Sequence, residues 1–116
     1  MKILIILNDA PYGLERTYNG LRFAGSLSRR DGVEVKVFFI GDAAGAARSG
    51  QTVPSGYYNI ERMASAVVQH GGAVGVCGTC MDARGIREAD LIPGTHRGSM
   101  DELTTWTIEA DKVITF

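Results

Sequence analysis

The strongest constraint on this chain is a regular exchange of two hydrophobic periods. Short apolar runs that read as strands alternate with stretches in which apolar residues return every three or four positions. "KILIIL", residues 2 to 7, is almost unbroken in apolar character, as expected of a strand covered on both faces. "NDAPYG" follows as turn chemistry. From Leu14 the apolar positions Leu14, Tyr18, Leu21 and Leu27 predict an amphipathic helix that stops near Asp31 and Gly32. "VEVKVFFI", residues 33 to 40, reads as a second strand. "DAAGAAR" reads as a short helix capped by Asp42, followed by a loop with Pro54 and Gly56 as breakers. Ile60, Met63, Ala64, Val67 and Val68 form a strong helical stripe that Gly71 and Gly72 end. "AVGV", residues 73 to 76, is a third strand that ends at Cys77. "MDARGIREADLI" reads as one or two short helical pieces broken at Gly85. Ser99 and Glu102 have capping-box spacing, and the helix they open carries Leu103, Trp106 and Ala110. "KVITF" closes the chain as a strand.

The resulting order, β-α-β-α-β-α-α-β, predicts an α/β fold: one domain over residues 1 to 116, built as a three-layer sandwich with a mostly parallel sheet flanked by helices. A chain of 116 residues buries roughly two-thirds of its unfolded surface, so it needs neither disulfide nor zinc to fold. No apolar run is long enough to span a membrane. The apolar start is stopped at once by Asn8 and Asp9, unlike a secretory signal. Two cysteines make no secreted disulfide framework, and the expected location is the cytoplasm. A net charge of -1 implies no basic face, so direct nucleic-acid binding is not expected.

In open parallel sheets, ligands and catalytic groups gather beyond the carboxyl ends of the strands. Cys77 ends the third strand there, and Asn8 and Gly41 follow the first two strands onto the same edge. Both cysteines lie in "VGVCGTCMDARG", residues 74 to 85. Four readings compete for them. They can be small buried hydrophobes. Zinc would need two further ligands, and His70 and His96 lack suitable spacing, so no metal is expected. C-x-x-C also suits a thioredoxin-type dithiol, although the tryptophan and proline of that site are absent. The fourth reading is a nucleophilic, sulfur-handling thiol, with Cys77 facing the amino end of the next helix. N-H groups at Gly78 and Thr79 can bond its thiolate, and Arg84 and Arg87 can add positive charge against Asp82. If the turn after Cys77 is helical, Cys80 points back to the same pocket as a resolving thiol or second acceptor; if irregular, it packs inward beside Met81.

"GYYNIERM" (56 to 63), "CGTCMDARGI" (77 to 86), "DLIPG" (90 to 94) and "GSMDELTTWTIEADKVITF" (98 to 116) together resemble the DsrE/DsrF-like family. The resemblance runs through nearly the whole chain and is weakest in residues 14 to 32. It implies a compact α/β fold and a homo-oligomer, a trimer or a hexamer. It also implies a sulfur-relay role in which a cysteine after a central strand accepts sulfane sulfur as a persulfide and passes it to a partner. The relay cysteine lies eight residues before a glycine, and Cys77 matches, with Gly85 eight residues on. Cys80 has no counterpart in many relay members, which leaves a dithiol role open. Donor and acceptor do not carry over from the resemblance.

Three function classes therefore stand: a persulfide carrier, a dithiol redox protein using Cys77 and Cys80, and a non-catalytic oligomeric binding module. No cofactor is expected. Tyr57 and Tyr58 can line a site on the loop facing the strand ends, with packing at the helix start as the plainer role. His96, beside Arg97, reads as an exposed loop residue, and Trp106 as a core or interface side chain. The glycine-rich "GDAAGAARSG" matches no phosphate-binding or dinucleotide fingerprint.

Overall fold

Five strands form one all-parallel sheet in the order β4-β3-β2-β1-β5 in the computed structural model, which describes all 116 residues. The strands are β1 (Lys2–Leu7), β2 (Glu34–Phe39), β3 (Ala73–Cys77), β4 (Thr95–Gly98) and β5 (Lys112–Thr115). The helices are α1 (Arg16–Ser28), α2 (Ile60–Gln69), α3 (Gly78–Asp82) and α4 (Met100–Glu109), with 3-10 turns at Gly41–Ala47 and Glu88–Asp90. From β1 to β4 each connection steps the same way across the sheet, and the last one, through α4, returns past β1 to β5. Right-handed crossovers taken in opposite directions put helices on opposite faces. The two faces accordingly have separate cores.

The larger core lies beneath α1 and α2. It takes Ile3, Ile5 and Leu7 of β1, Val35, Val37 and Phe39 of β2, and Val74 and Val76 of β3, with Leu21, Ala24, Ile60, Ala64 and Val67 from the helices. The smaller core lies beneath α4 and holds Leu4, Phe38, Cys77, Leu103 and Trp106. Alternation along the strands sorts the residues: neighbours such as Phe38 and Phe39 point to opposite faces and are both fully buried. Cys77 thus belongs to the thinner side, where a single long helix covers the sheet.

Several local expectations change. The buried stripe of α1 is Thr17, Gly20, Leu21, Ala24 and Gly25, small residues around one leucine, while Leu14 precedes the helix and is exposed. Small side chains let α1 lie close to the sheet, a feature that a search for large apolar residues passes over. α2 starts at Ile60, with the Asn59 side chain accepting from the Arg62 N-H. The "DAAGAA" segment is a 3-10 turn without a side-chain cap: it starts at Gly41 with Ile40 in the capping position, so Asp42 lies inside the turn and its carboxylate accepts from Arg84. β4 is an added strand that the sequence pattern hides. "THRG" is short and polar, as suits an edge strand, and it places His96 in the sheet rather than in a loop. No helix is long and apolar enough to cross a membrane.

Candidate functional site

The site assembles at the carboxyl edge of β3 and β2. β3 runs to Cys77, and the chain turns directly into α3, whose five residues begin at Gly78. Cys77 is the N-cap of α3: its Sγ accepts from the Cys80 N-H at 3.4 Å. The Thr79 hydroxyl lies 3.3 Å from the same sulfur. Because the turn is helical, residue 80 comes back over residue 77, and the Cys80 thiol donates to Cys77 Sγ at 2.6 Å. Both cysteines are free, Cys77 buried and Cys80 half-buried.

The two thiols sit in different fields. Burial pushes the Cys77 thiol up, but the hydrogen bonds from the Cys80 thiol, from Thr79 and from the backbone N-H groups of Cys80 and Thr79 outweigh it. Cys77 is therefore held below its ordinary value, which favours the nucleophilic thiolate. Cys80 is pushed above its ordinary value by burial first, then by the proton it gives to Cys77 and by the neighbouring negative charge. A bond from the Gly41 N-H and the charge of Arg84 oppose that rise without overcoming it. A five-residue helix has little macrodipole, so the direct bonds to sulfur carry the effect.

Gly41 and Arg84 bind Cys80 from two sides. Gly41 has φ +60, a left-handed conformation that turns the chain at the end of β2 and aims its N-H at Cys80 Sγ, 3.1 Å away. Arg84 bonds the Cys80 carbonyl at 3.1 Å and the Asp42 carboxylate at 2.7 Å. Arg87 is spent on Asp90, at 2.9 Å, so the second cation at the site is not Arg87 but Arg97. Arg97 grips the Asp82 carboxylate with both terminal nitrogens, at 2.8 and 3.0 Å. Its guanidinium lies where a side chain at Gly78 would stand: a Cβ there would come within 2.8 Å of it. Gly78 thus serves by leaving room for this cation. The sequence offered no sign of Arg97, because only the pairing of β4 with β3 brings it beside Cys77.

Asn8 and the two tyrosines serve the surroundings. The Asn8 backbone N-H and side-chain amide both donate to the Phe116 carbonyl, at 3.1 and 3.0 Å, tying the end of β1 to the chain terminus. Tyr58 packs its ring on Tyr18, with centroids 4.3 Å apart, and on Tyr12. Tyr57 projects into solvent. No hydrogen bond joins Asn8, Tyr57 or Tyr58 to either sulfur.

A second polar pair lies on the same face. Glu102 donates its N-H to the Ser99 cap, but its carboxylate does not close the box; both oxygens meet His96 Nε2, at 2.7 and 2.8 Å. The carboxylate fits because β4 places Gly98 opposite Cys77: a Cβ at Gly98 would stand 2.6 Å from Glu102 Oε1 and 2.9 Å from the Phe38 ring. His96 is therefore half-buried and paired rather than free in a loop.

The thiols lie outside the larger hollows of the surface. A groove of about 540 Å³ between α1 and α2 and hollows of about 530 and 350 Å³ around Gln51 to Arg62 are lined by neither cysteine.

The DsrE/DsrF-like family profile matches residues 1–116. Protein YchN of Escherichia coli is 40% identical over 116 residues, covering 99% of this chain and 98% of that protein. An uncharacterized protein of Methanocaldococcus jannaschii is 38% identical over 116 residues, covering all of both chains. The crystal structure of E. coli YchN superposes with a TM-score of 0.94 at 40% identity, covering 100% of this chain and 99% of that one. A protein of unknown function from Methanobacterium thermoautotrophicum shares the fold, with a TM-score of 0.76 at 15% identity over 99% of this chain and 98% of that one. With the whole chain matched in sequence and in structure, this protein belongs to the DsrE/DsrF-like family.

Proposed function

We propose that the protein is a cytoplasmic sulfur carrier, with Cys77 as the residue that accepts and passes on sulfane sulfur. One observation carries the reading: Cys77 ends β3 with its sulfur bonded by the Cys80 thiol, Thr79 and backbone N-H groups, which hold it toward the thiolate. The Cys77 thiolate attacks the outer sulfur of a donor persulfide, R-S-SH, and expels R-S⁻. The product is Cys77-S-SH. A nucleophile of the acceptor then takes the outer sulfur, and Cys77 leaves as thiolate. A thiol with a lowered pKa is a good leaving group in that second step. Membership in a family related to sulfur relays supports the same chemistry. In this reading the donor and acceptor are proteins that meet Cys77 at the carboxyl edge of β3.

Cys80→Ser, which keeps Cys77 as its only thiol, is expected to gain one sulfur when treated with inorganic polysulfide and weighed intact. Cys77→Ser is expected to gain none. An equal adduct on Cys77→Ser, or none on Cys80→Ser, rejects the reading.

Assembly as a trimer or a dimer of trimers belongs to this proposal. Ile108 is 80% and Tyr57 70% exposed, apolar surface that contact between copies would cover. Light scattering at micromolar concentration is expected to give the mass of three or six chains; a monomer would remove the claim.

A further inference from the structure

Cys80 stands closer to Cys77 than a carrier thiol requires. The Sγ atoms are 2.6 Å apart, brought together by one turn of α3. The arrangement around Cys80 has its own parts, distinct from those on Cys77. The Gly41 N-H donates to its sulfur from the end of β2, and Arg84 sits on its carbonyl. A packing cysteine needs neither.

We infer that Cys80 is a resolving thiol: when no acceptor takes the outer sulfur, it converts the Cys77 persulfide to an intramolecular disulfide and releases that sulfur as hydrosulfide, an inference that rests on the persulfide reading above. The step starts from Cys77-S-S⁻ beside the Cys80 thiol. Cys80 Sγ bonds to Cys77 Sγ, and the bond from Cys77 Sγ to the outer sulfur breaks. The electron pair of the broken bond leaves with the outer sulfur, which takes the Cys80 proton and departs as HS⁻. The outer sulfur goes from the persulfide level to sulfide, Cys80 Sγ goes from the thiol to the disulfide level, and Cys77 Sγ keeps the level it had in the persulfide. Charge is the same on both sides. A dithiol reductant from outside then restores the two thiols for another cycle.

The surroundings fit the two stages. Before loading, Cys80 keeps its proton, because burial and the neighbouring Cys77 hold it above its ordinary value. As that proton leaves, the Gly41 N-H and the Arg84 charge favour the thiolate that attacks. Cys77 Sγ has Cys80 on one side and the Thr79 hydroxyl near it, so the inner sulfur is the one within reach. Cys77 is the N-cap of α3 and Cys80 lies within its first turn, so the two sulfurs are already in contact. Attack by a group already in contact has a high effective concentration.

The test follows sulfur on fully reduced protein under anaerobic conditions with no added reductant, using inorganic polysulfide as probe and desalting after loading. Wild type is expected to end as the Cys77–Cys80 disulfide, two hydrogens lighter, with one sulfide released for each adduct lost. Cys80→Ser, and Cys80→Ala as a second variant, are expected to keep the one-sulfur adduct, losing it about tenfold or more slowly than wild type. A wild-type adduct that lasts as long as that of Cys80→Ser overturns the inference and leaves the carrier reading standing. An adduct sulfur mapped to Cys80 also overturns it. Absence of any adduct on both Cys80 variants removes the carrier reading itself, and this inference with it.

Discussion

Replacing Phe38 with alanine is expected to cost about 3–5 kcal/mol of stability, enough to remove much of the margin of a domain of this size. Phe38 is 1% exposed and belongs to the smaller core. Its ring meets Trp106 edge-on, with centroids 6.0 Å apart, and lies against the space that Gly98 leaves open. With only five buried residues on this face, few neighbours can move in to fill the hole. Urea denaturation followed by the fluorescence of Trp106, the one tryptophan, measures the loss. The same variant bears on the site. Cys77 is packed in the Phe38 cluster, so Phe38→Ala is expected to speed its alkylation. Phe39→Ala should cost a similar amount by opening the other core, without uncovering Cys77 in this way. A cost under about 1 kcal/mol for Phe38→Ala would mean that the α4 face is not a cooperative core.

The second large effect is a difference in thiol reactivity. At neutral pH, Cys80→Ser, which retains Cys77, is expected to react with iodoacetamide about tenfold faster than Cys77→Ser, which retains Cys80. The reactive species is the thiolate, so the rate rises with pH toward a plateau above the thiol pKa. In Cys80→Ser the thiol bond to Cys77 is gone, but the serine hydroxyl can donate in its place and the bonds from Thr79 and the backbone N-H groups remain, so the rise is expected below the ordinary thiol range. For Cys80 burial acts in the other direction. Removing Cys77 also relieves Cys80 of the neighbouring charge, so its profile should move partway back toward the ordinary range. The measurement is the pH dependence of the rate for each variant separately. Faster reaction of the Cys80-only protein at neutral pH would reverse the roles and shift the acceptor to Cys80.

Sulfur positions followed from local rules to a useful extent. A cysteine at the end of an apolar run must emerge at a strand's carboxyl edge, and one helical turn returns residue 80 to residue 77. Those are nearest-neighbour facts, which a linear pattern contains. Family resemblance supplied the persulfide expectation, which no periodicity could have done. Other local signals were ambiguous. Asp42 before a small-residue stretch reads as a cap, yet its carboxylate is taken by Arg84, forty-two residues away in the chain.

The alternation of strands and helices, a sheet covered on both faces, and the placing of Cys77 at the carboxyl edge were all legible in the linear pattern. Each of these depends on hydrophobic period and chain order alone. Tertiary structure decided what the periods cannot express. It showed that "THRG" is a fifth strand, because a polar edge strand is held by hydrogen bonds to β3 and not by its own apolar pattern. That pairing carries Arg97 to Gly78 and Gly98 to Cys77. It also drew Glu102 away from the capping box toward His96, since a charged side chain half-covered by protein gains more from a close partner than from a solvent-facing N-H. The unequal state of the two thiols was likewise decided in three dimensions. It depends on which N-H, hydroxyl and guanidinium groups surround each sulfur, and Gly41 reaches Cys80 only because β2 and β3 are neighbours in the sheet.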